Sequence, residues 1–443
     1  MSSSRVQVLL AAVMLSAVAR AQKLQTPAPP PQLSPKAAYD DAMHPLEATR
    51  HSIANWSDAE KQALQVAVGR AATECAARDP KTFSGDALID LARLCALGQA
   101  WPVVVQTTKL YISADAPTKP LLNQAYAAQV DAELHLKDET SALAGALAML
   151  KAVPYDALVA EVVDEAIAYM QFVHTRDALT LGAARQPLLL ANLRTARTPA
   201  DPNQPLPAIA PQSIHDLYAA GIGFAALQQL ANQPDAARST LAALDAAVPT
   251  DLAPDESIPI TAARKRYTFL GQPLPQIRML DSLSMPNKLP ELPAHGAITA
   301  LLLFPDWCAQ CVQLGPQFAQ TVFMVEGREA YLYALLAETL PPKPKRPPVK
   351  DAPPDPPTPR ELLAETPTVV VPPSVLTQFA ADDFPFLIIA DAHGIIRVIQ
   401  PAAEDVLQPG GTLDSAVAVV GRTWPIRPAA ATGPPKPAAT SKP

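Results

Sequence analysis

The chain has 443 residues, 50 of them proline, and its 35 basic against 42 acidic side chains give a net charge of -7. That length predicts two folded units with linkers, and that proline content predicts extended segments rather than one compact body. With no long basic block, the cationic footprint of a nucleic-acid binder is missing, so no nucleic-acid partner is expected.

Residues 1–21 read MSSSRVQVLLAAVMLSAVARA: Arg5, an apolar run from Val6 to Val18, and the small-x-small sequence Ala19-Arg20-Ala21. This is the pattern of a signal peptide cleaved after Ala21. The apolar run is shorter than the roughly 20 residues of a spanning helix, and no later segment is a transmembrane candidate. No cysteine precedes Cys75, so an N-terminal lipid anchor on cysteine is not expected. Export to a periplasmic or extracellular compartment turns all four cysteines into candidates for disulfides.

Residues 22–40 contain KLQTPAPPPQLSP and read as a disordered linker. A helical domain is expected over 41–268. Ser57 and Glu60 have capping-box spacing, and an apolar-periodic run follows to about Cys75. Beyond it helices are expected in pairs: 84–99 with 102–114, 119–136 with 138–152, 155–171 with 175–195, and 213–231 with 234–247. Three pairs end in proline, in SADAP, KAVP and DAAVP, and Pro117 precedes Pro154 by 154 − 117 = 37 residues. On LGQAWPVVVQTTKLY and LANQPDAARSTLAAL the region resembles tetratricopeptide-like helical repeats, which implies a docking surface for partners. An irregular bundle would bury the same faces, and RTPADPNQPLPAIAPQ interrupts the array.

From residue 269 the texture becomes that of an α/β domain, expected to run to 424. AITALLLF, 297–304, reads as a strand buried on both faces, TVVV (368–371) and FLIIA (386–390) as further strands, and DAHG as the turn to IIRVIQ. His393 in that turn is expected to be exposed. A proline-rich insert is placed at 340–360 and a disordered tail at 425–443.

The chemistry rests on FPDWCAQCVQLGP, residues 304–316. Haem attachment needs a histidine after the second cysteine, and Val312 stands there. Structural zinc needs four ligands, and the other cysteines, Cys75 and Cys95, lie far away in the helical half. A disulfide across two intervening residues constrains little of the unfolded chain. The redox reading accounts for more: a buried strand, a short connection, and a helix starting near Cys308 would bring open amides to that sulfur, with Cys311 one turn further on. Pro316 is expected to kink the helix.

With GQPLP at 271–275, ALLLF before WCAQC, Pro316, and FPFLIIADAHGIIRV near the end, residues 271–424 resemble the TlpA/ResA-like thiol-disulfide oxidoreductases of the thioredoxin fold. The fold expected is therefore multidomain, an all-α tetratricopeptide-like part followed by an α/β thioredoxin-like part. The resemblance implies that Cys308 attacks, Cys311 resolves, and Trp307 and Pro385 shape the substrate groove. It implies protein thiols or disulfides as substrates, a redox donor or acceptor protein such as a membrane-bound thiol carrier, and no cofactor or metal. Phe386 stands where relatives carry threonine, and Asp306 places a carboxylate two residues before Cys308, which opposes thiolate formation. These departures keep open a second reading, a helical scaffold with a catalytically weak thioredoxin-like domain. A peroxiredoxin-type peroxidase is disfavoured because Thr-x-x-Cys is absent. Cys75 and Cys95 suit either a structural disulfide or two separately buried thiols.

Overall fold

A computed structural model of the protein describes residues 32–50, 56–115, 118–196, 212–284, 289–315, 322–325, 327–339, 357–402, 406–408 and 410–425. The signal sequence, Pro117, Pro316, most of the 340–360 insert and the tail beyond 425 lie outside the described residues. By its contacts the chain divides into two compact units, Met1–Lys119 and Pro120–Pro443.

The first unit is built from α1 (Pro35–Thr49), α2 (Asp58–Ala76), a 3-10 turn at Pro80–Thr82, α3 (Asp86–Leu97) and α4 (Trp101–Ser113). The expected linker over 22–40 is therefore too long, because α1 starts inside it. The Ser-Pro that ends the proline tract is a helix start: the Ser34 hydroxyl accepts from Ala37 N at 3.2 Å, and Pro35 occupies a position whose amide has no helical partner. At α2 the capping box closes, Glu60 accepting from Ser57 N at 2.7 Å and Ser57 Oγ from Glu60 N at 3.3 Å.

Cys75 and Cys95 are bonded, with Cα atoms 5.1 Å apart, and staple α2 to α3. A bridge closing a loop of this length restricts the unfolded chain by about 3 kcal/mol. At the end of α3 the backbones come closer still: a Cβ at Gly98 would stand 2.5 Å from Ala72 N. Because backbone cannot move aside as a side chain can, Gly98→Ala is expected to destabilise this unit by about 1–3 kcal/mol, measured by thermal or urea unfolding. An unchanged midpoint would contradict the close approach.

The second unit opens with α5 (Leu122–His135), α6 (Glu139–Ala152), α7 (Ala157–Val173), α8 (Thr175–Thr195), α9 (Ile214–Leu230), α10 (Pro234–Ala247) and α11 (Pro254–Phe269). A single turn chemistry recurs along the chain. Gln99, Lys137 and Asn232 each adopt positive φ after a helix, and the next amide reaches back to the last turn: Ala100 N to Cys95 O at 2.8 Å, Asp138 N to Glu133 O at 2.9 Å, Gln233 N to Gln228 O at 2.8 Å. This is the left-handed C-terminal cap that reverses a chain into a second helix.

The sheet follows: β1 (Asp281–Ser282), β2 (Ile298–Pro305), β3 (Val322–Val325), β4 (Arg328–Ala337), β5 (Thr368–Val371), β6 (Phe386–Ala390) and β7 (Ile396–Pro401), with short helices α12 (Ala309–Gln313), α13 (Pro359–Leu362) and α14 (Ser374–Phe379) and a final α15 (Thr412–Thr423). Its order is β1-β5-β4-β2-β6-β7, with β3 paired to the start of β4. β2 runs parallel to β4 and antiparallel to β6, and β6 and β7 form a hairpin. The N-terminal helical region followed by a mixed α/β part agrees with the coarse layout read from the sequence.

β2 is buried along its whole length, and its alternate residues enter two cores. Ile298, Ala300, Leu302 and Phe304 join the helices and α15, packing with Met170, Phe224, Val417 and Val420 in one cluster. Leu301 and Leu303 pack on the other face with Leu274, Ile277, Val375 and Phe379. The change of texture at 268–269 is thus a change of secondary structure inside one compact unit, since the helices after Pro120 belong with the sheet.

Candidate active site

β2 delivers its last residues to the C-terminal end of the parallel β2–β4 pair, where Pro305 stands beside Ala337. Asp306 continues the ladder, its N donating to Ala337 O at 3.0 Å. The Asp306 carboxylate accepts from Thr339 N at 3.1 Å and Thr339 Oγ1 at 2.5 Å. The chain then turns: Cys308 N donates to Pro305 O at 3.1 Å, and Cys308 O accepts from Val312 N at 3.1 Å as the N-cap of α12. A helix therefore begins at the first cysteine, where its open amides face Cys308.

Cys308 and Cys311 are joined as a disulfide with Cα atoms 5.3 Å apart. They are not equivalent. Cys308 retains 5% exposure at the edge of the core, whereas Cys311, at 0%, is sealed in the cluster that holds Phe304 and Val312. Of the two sulfur-bearing residues, only Cys308 keeps any surface toward an approaching group.

Trp307, 57% exposed, sets its indole edge-on to Phe384 with ring centroids 5.6 Å apart. Phe384 precedes Pro385 through a cis peptide bond, and Pro385 O accepts from Ala402 N at 2.8 Å. The antiparallel register pairs Leu303 with Phe386, so Pro385 falls one step beyond that pair, toward the cysteine end of β2. Cys308, Cys311, Trp307 and the Phe384-Pro385 corner thus come together at one end of the sheet. Cys75 and Cys95 belong to the other compact unit and have no place in this site.

Several contributors were not singled out by sequence reasoning. Thr339 becomes visible only once β4 is aligned with β2, and Phe384 only once the β6 register is known. In the β6–β7 turn, His393 is exposed, and the structural residue is the fully buried Asp391. Its carboxylate accepts from His393 N at 2.9 Å and Ile395 N at 3.0 Å and pairs with Arg397 at 2.8 Å. Asp382, exposed in the loop before Pro385, pairs with Arg266 of α11 at 2.6 Å.

Comparison with protein-family models, curated proteins and solved structures gives no match to this chain. No helix among the described residues is long and apolar enough to cross a membrane.

After reduction, a carboxylate two residues before Cys308 raises the cost of a thiolate there, against the helix amides that lower it. Asp306→Asn is therefore expected to shift the midpoint of Cys308 alkylation by iodoacetamide to lower pH. An unmoved midpoint would contradict an effect of that carboxylate on the sulfur.

Proposed function

We propose that the protein is an exported thiol-disulfide oxidoreductase of the TlpA/ResA-like thioredoxin class, acting on protein thiols or disulfides through Cys308 and Cys311. The observation that carries this reading is the asymmetry of the pair: one cysteine at a helix start on the edge of the core, its partner one turn on and sealed. The strand order β4-β2-β6-β7, with α12 after β2 and α15 after β7, supports the thioredoxin-like reading of the sheet. The recurring helix-turn caps support tetratricopeptide-like repeats in the helical part, with partner docking as their role.

In the reducing direction the Cys308 thiolate attacks a substrate disulfide, forming a Cys308–substrate bond and releasing the first substrate thiolate. Cys311 then gives up its proton and attacks Cys308 Sγ, releasing the second substrate thiolate and closing the internal disulfide. Two electrons pass from the cysteine pair to the substrate, and a thiol donor must restore the reduced pair. The oxidising direction runs these steps backward from the bonded form.

Purified full-length protein with dithiothreitol should accelerate reduction of the insulin interchain disulfides. Cys308→Ser should return the rate to background, and Cys311→Ser should accumulate mixed disulfides with substrate. Wild-type protein at the background rate would exclude the oxidoreductase and leave the helical scaffold.

A further inference from the structure

We propose that the cleft bounded by α7, α8, α9, α11 and β7 binds a small organic anion with an apolar body, of the carboxylate class. The cleft has a volume of about 370 Å³ and lies wholly within the second compact unit. That size falls in the range of about 300–1,000 Å³ typical of small-molecule sites, which pair apolar walls with a few polar anchors. Here the walls include Ile167, Phe172, Ile222 and Leu227.

The anchors are guanidinium groups. Arg185, Arg266 and Arg397 all line the cleft, and Asp164 is the one carboxylate among its described lining residues. Arg185 is 2% exposed; it pairs with Asp164 and donates from Nη2 to Ala220 O at 2.7 Å, while its Nε is buried without a partner. Burial lowers the Arg185 pKa from its ordinary value, so the site holds a cation at a cost that an anion would offset.

Arg397 uses Nε on Asp391 at 2.8 Å and lies over the Trp424 ring at 4.1 Å, which leaves its terminal nitrogens without a hydrogen-bond partner among the described residues. Arg266 makes both of its bonds through Nη1, to Ala380 O at 2.8 Å and Asp382 at 2.6 Å, leaving Nη2 unused among those residues. Three arginines and one carboxylate in the lining give the cleft an excess of positive charge, and the planar guanidinium fork matches a carboxylate.

One wall helix carries an exposed glycine. Gly223 of α9 lines the cleft, and a Cβ built there meets nothing within 4 Å.

The test is calorimetric titration of the full chain with decanoate, and with decylamine as a cation of the same chain length, both below their micelle concentrations. Saturable binding of one decanoate is expected, with decylamine weaker by at least about tenfold. Gly223→Leu, which adds bulk at an exposed lining position where a Cβ meets no neighbouring atom, should retain the wild-type melting temperature and weaken decanoate by about tenfold. Arg185→Met, where it folds, should weaken decanoate by about tenfold or more through loss of charged hydrogen bonds. Absence of saturable decanoate binding, equal affinity for decylamine, or undiminished binding by folded Gly223→Leu would each overturn the proposal.

Discussion

Burial of β2 on both faces is the constraint on which the site depends. A strand with one polar face resists slipping because a shift of one residue would turn its apolar side chains to water. β2 has no such safeguard, since all eight of its positions are buried. Its register must be held by size and by its ends. At the start, Thr299 Oγ1 accepts from Ala294 N at 2.8 Å; at the finish, Asp306 is bonded through both its amide and its carboxylate to Ala337 and Thr339. Cys308 follows two residues later, so its position relative to Pro385 depends on these pins.

Much of this was legible in the sequence, and the physical reason is clear where it was not. The run from Ala297 to Phe304 is too apolar for any surface strand, and the cysteines behind it mark the connection to a helix. β4 escaped notice because EAYLYALLAE is dominated by alanine, leucine and glutamate, good helix formers; its strand state comes from pairing with β2, β3 and β5. The first turns of α1 were assigned to the linker because the segment before them is rich in proline, although at a helix start proline costs no hydrogen bond. The capping box at Ser57 was legible because its chemistry is local. The Asp306–Thr339 and Trp307–Phe384 contacts join residues far apart in sequence, and no local pattern encodes them.

The helices after Pro120 give the sheet more than a neighbour. Even-numbered side chains of β2 enter the same cluster as Met170 of α7 and Phe224 of α9, so one face of the strand behind Cys308 is closed by helical residues. Arg266 of α11 reaches the loop before Pro385, donating to Ala380 O and pairing with Asp382. Residues far upstream of the cysteine pair thereby help to position the corner that faces it. A fragment beginning at the change of texture near 269 would expose this core and lose that tie.

Asp306 then acquires a second meaning. As a charge it works against a thiolate at Cys308, and on that ground alone a small neutral residue would serve better. As an acceptor it holds Thr339, directly before residue 340, while Arg360, at the end of the 340–360 segment, bonds Glu338 and pairs with Asp281 at 2.7 Å. Both residues are secured by charged hydrogen bonds beside β4. The carboxylate two residues before Cys308 is thus also the acceptor that fixes Thr339 beyond the end of β4, so replacing it removes both a charge and a tie.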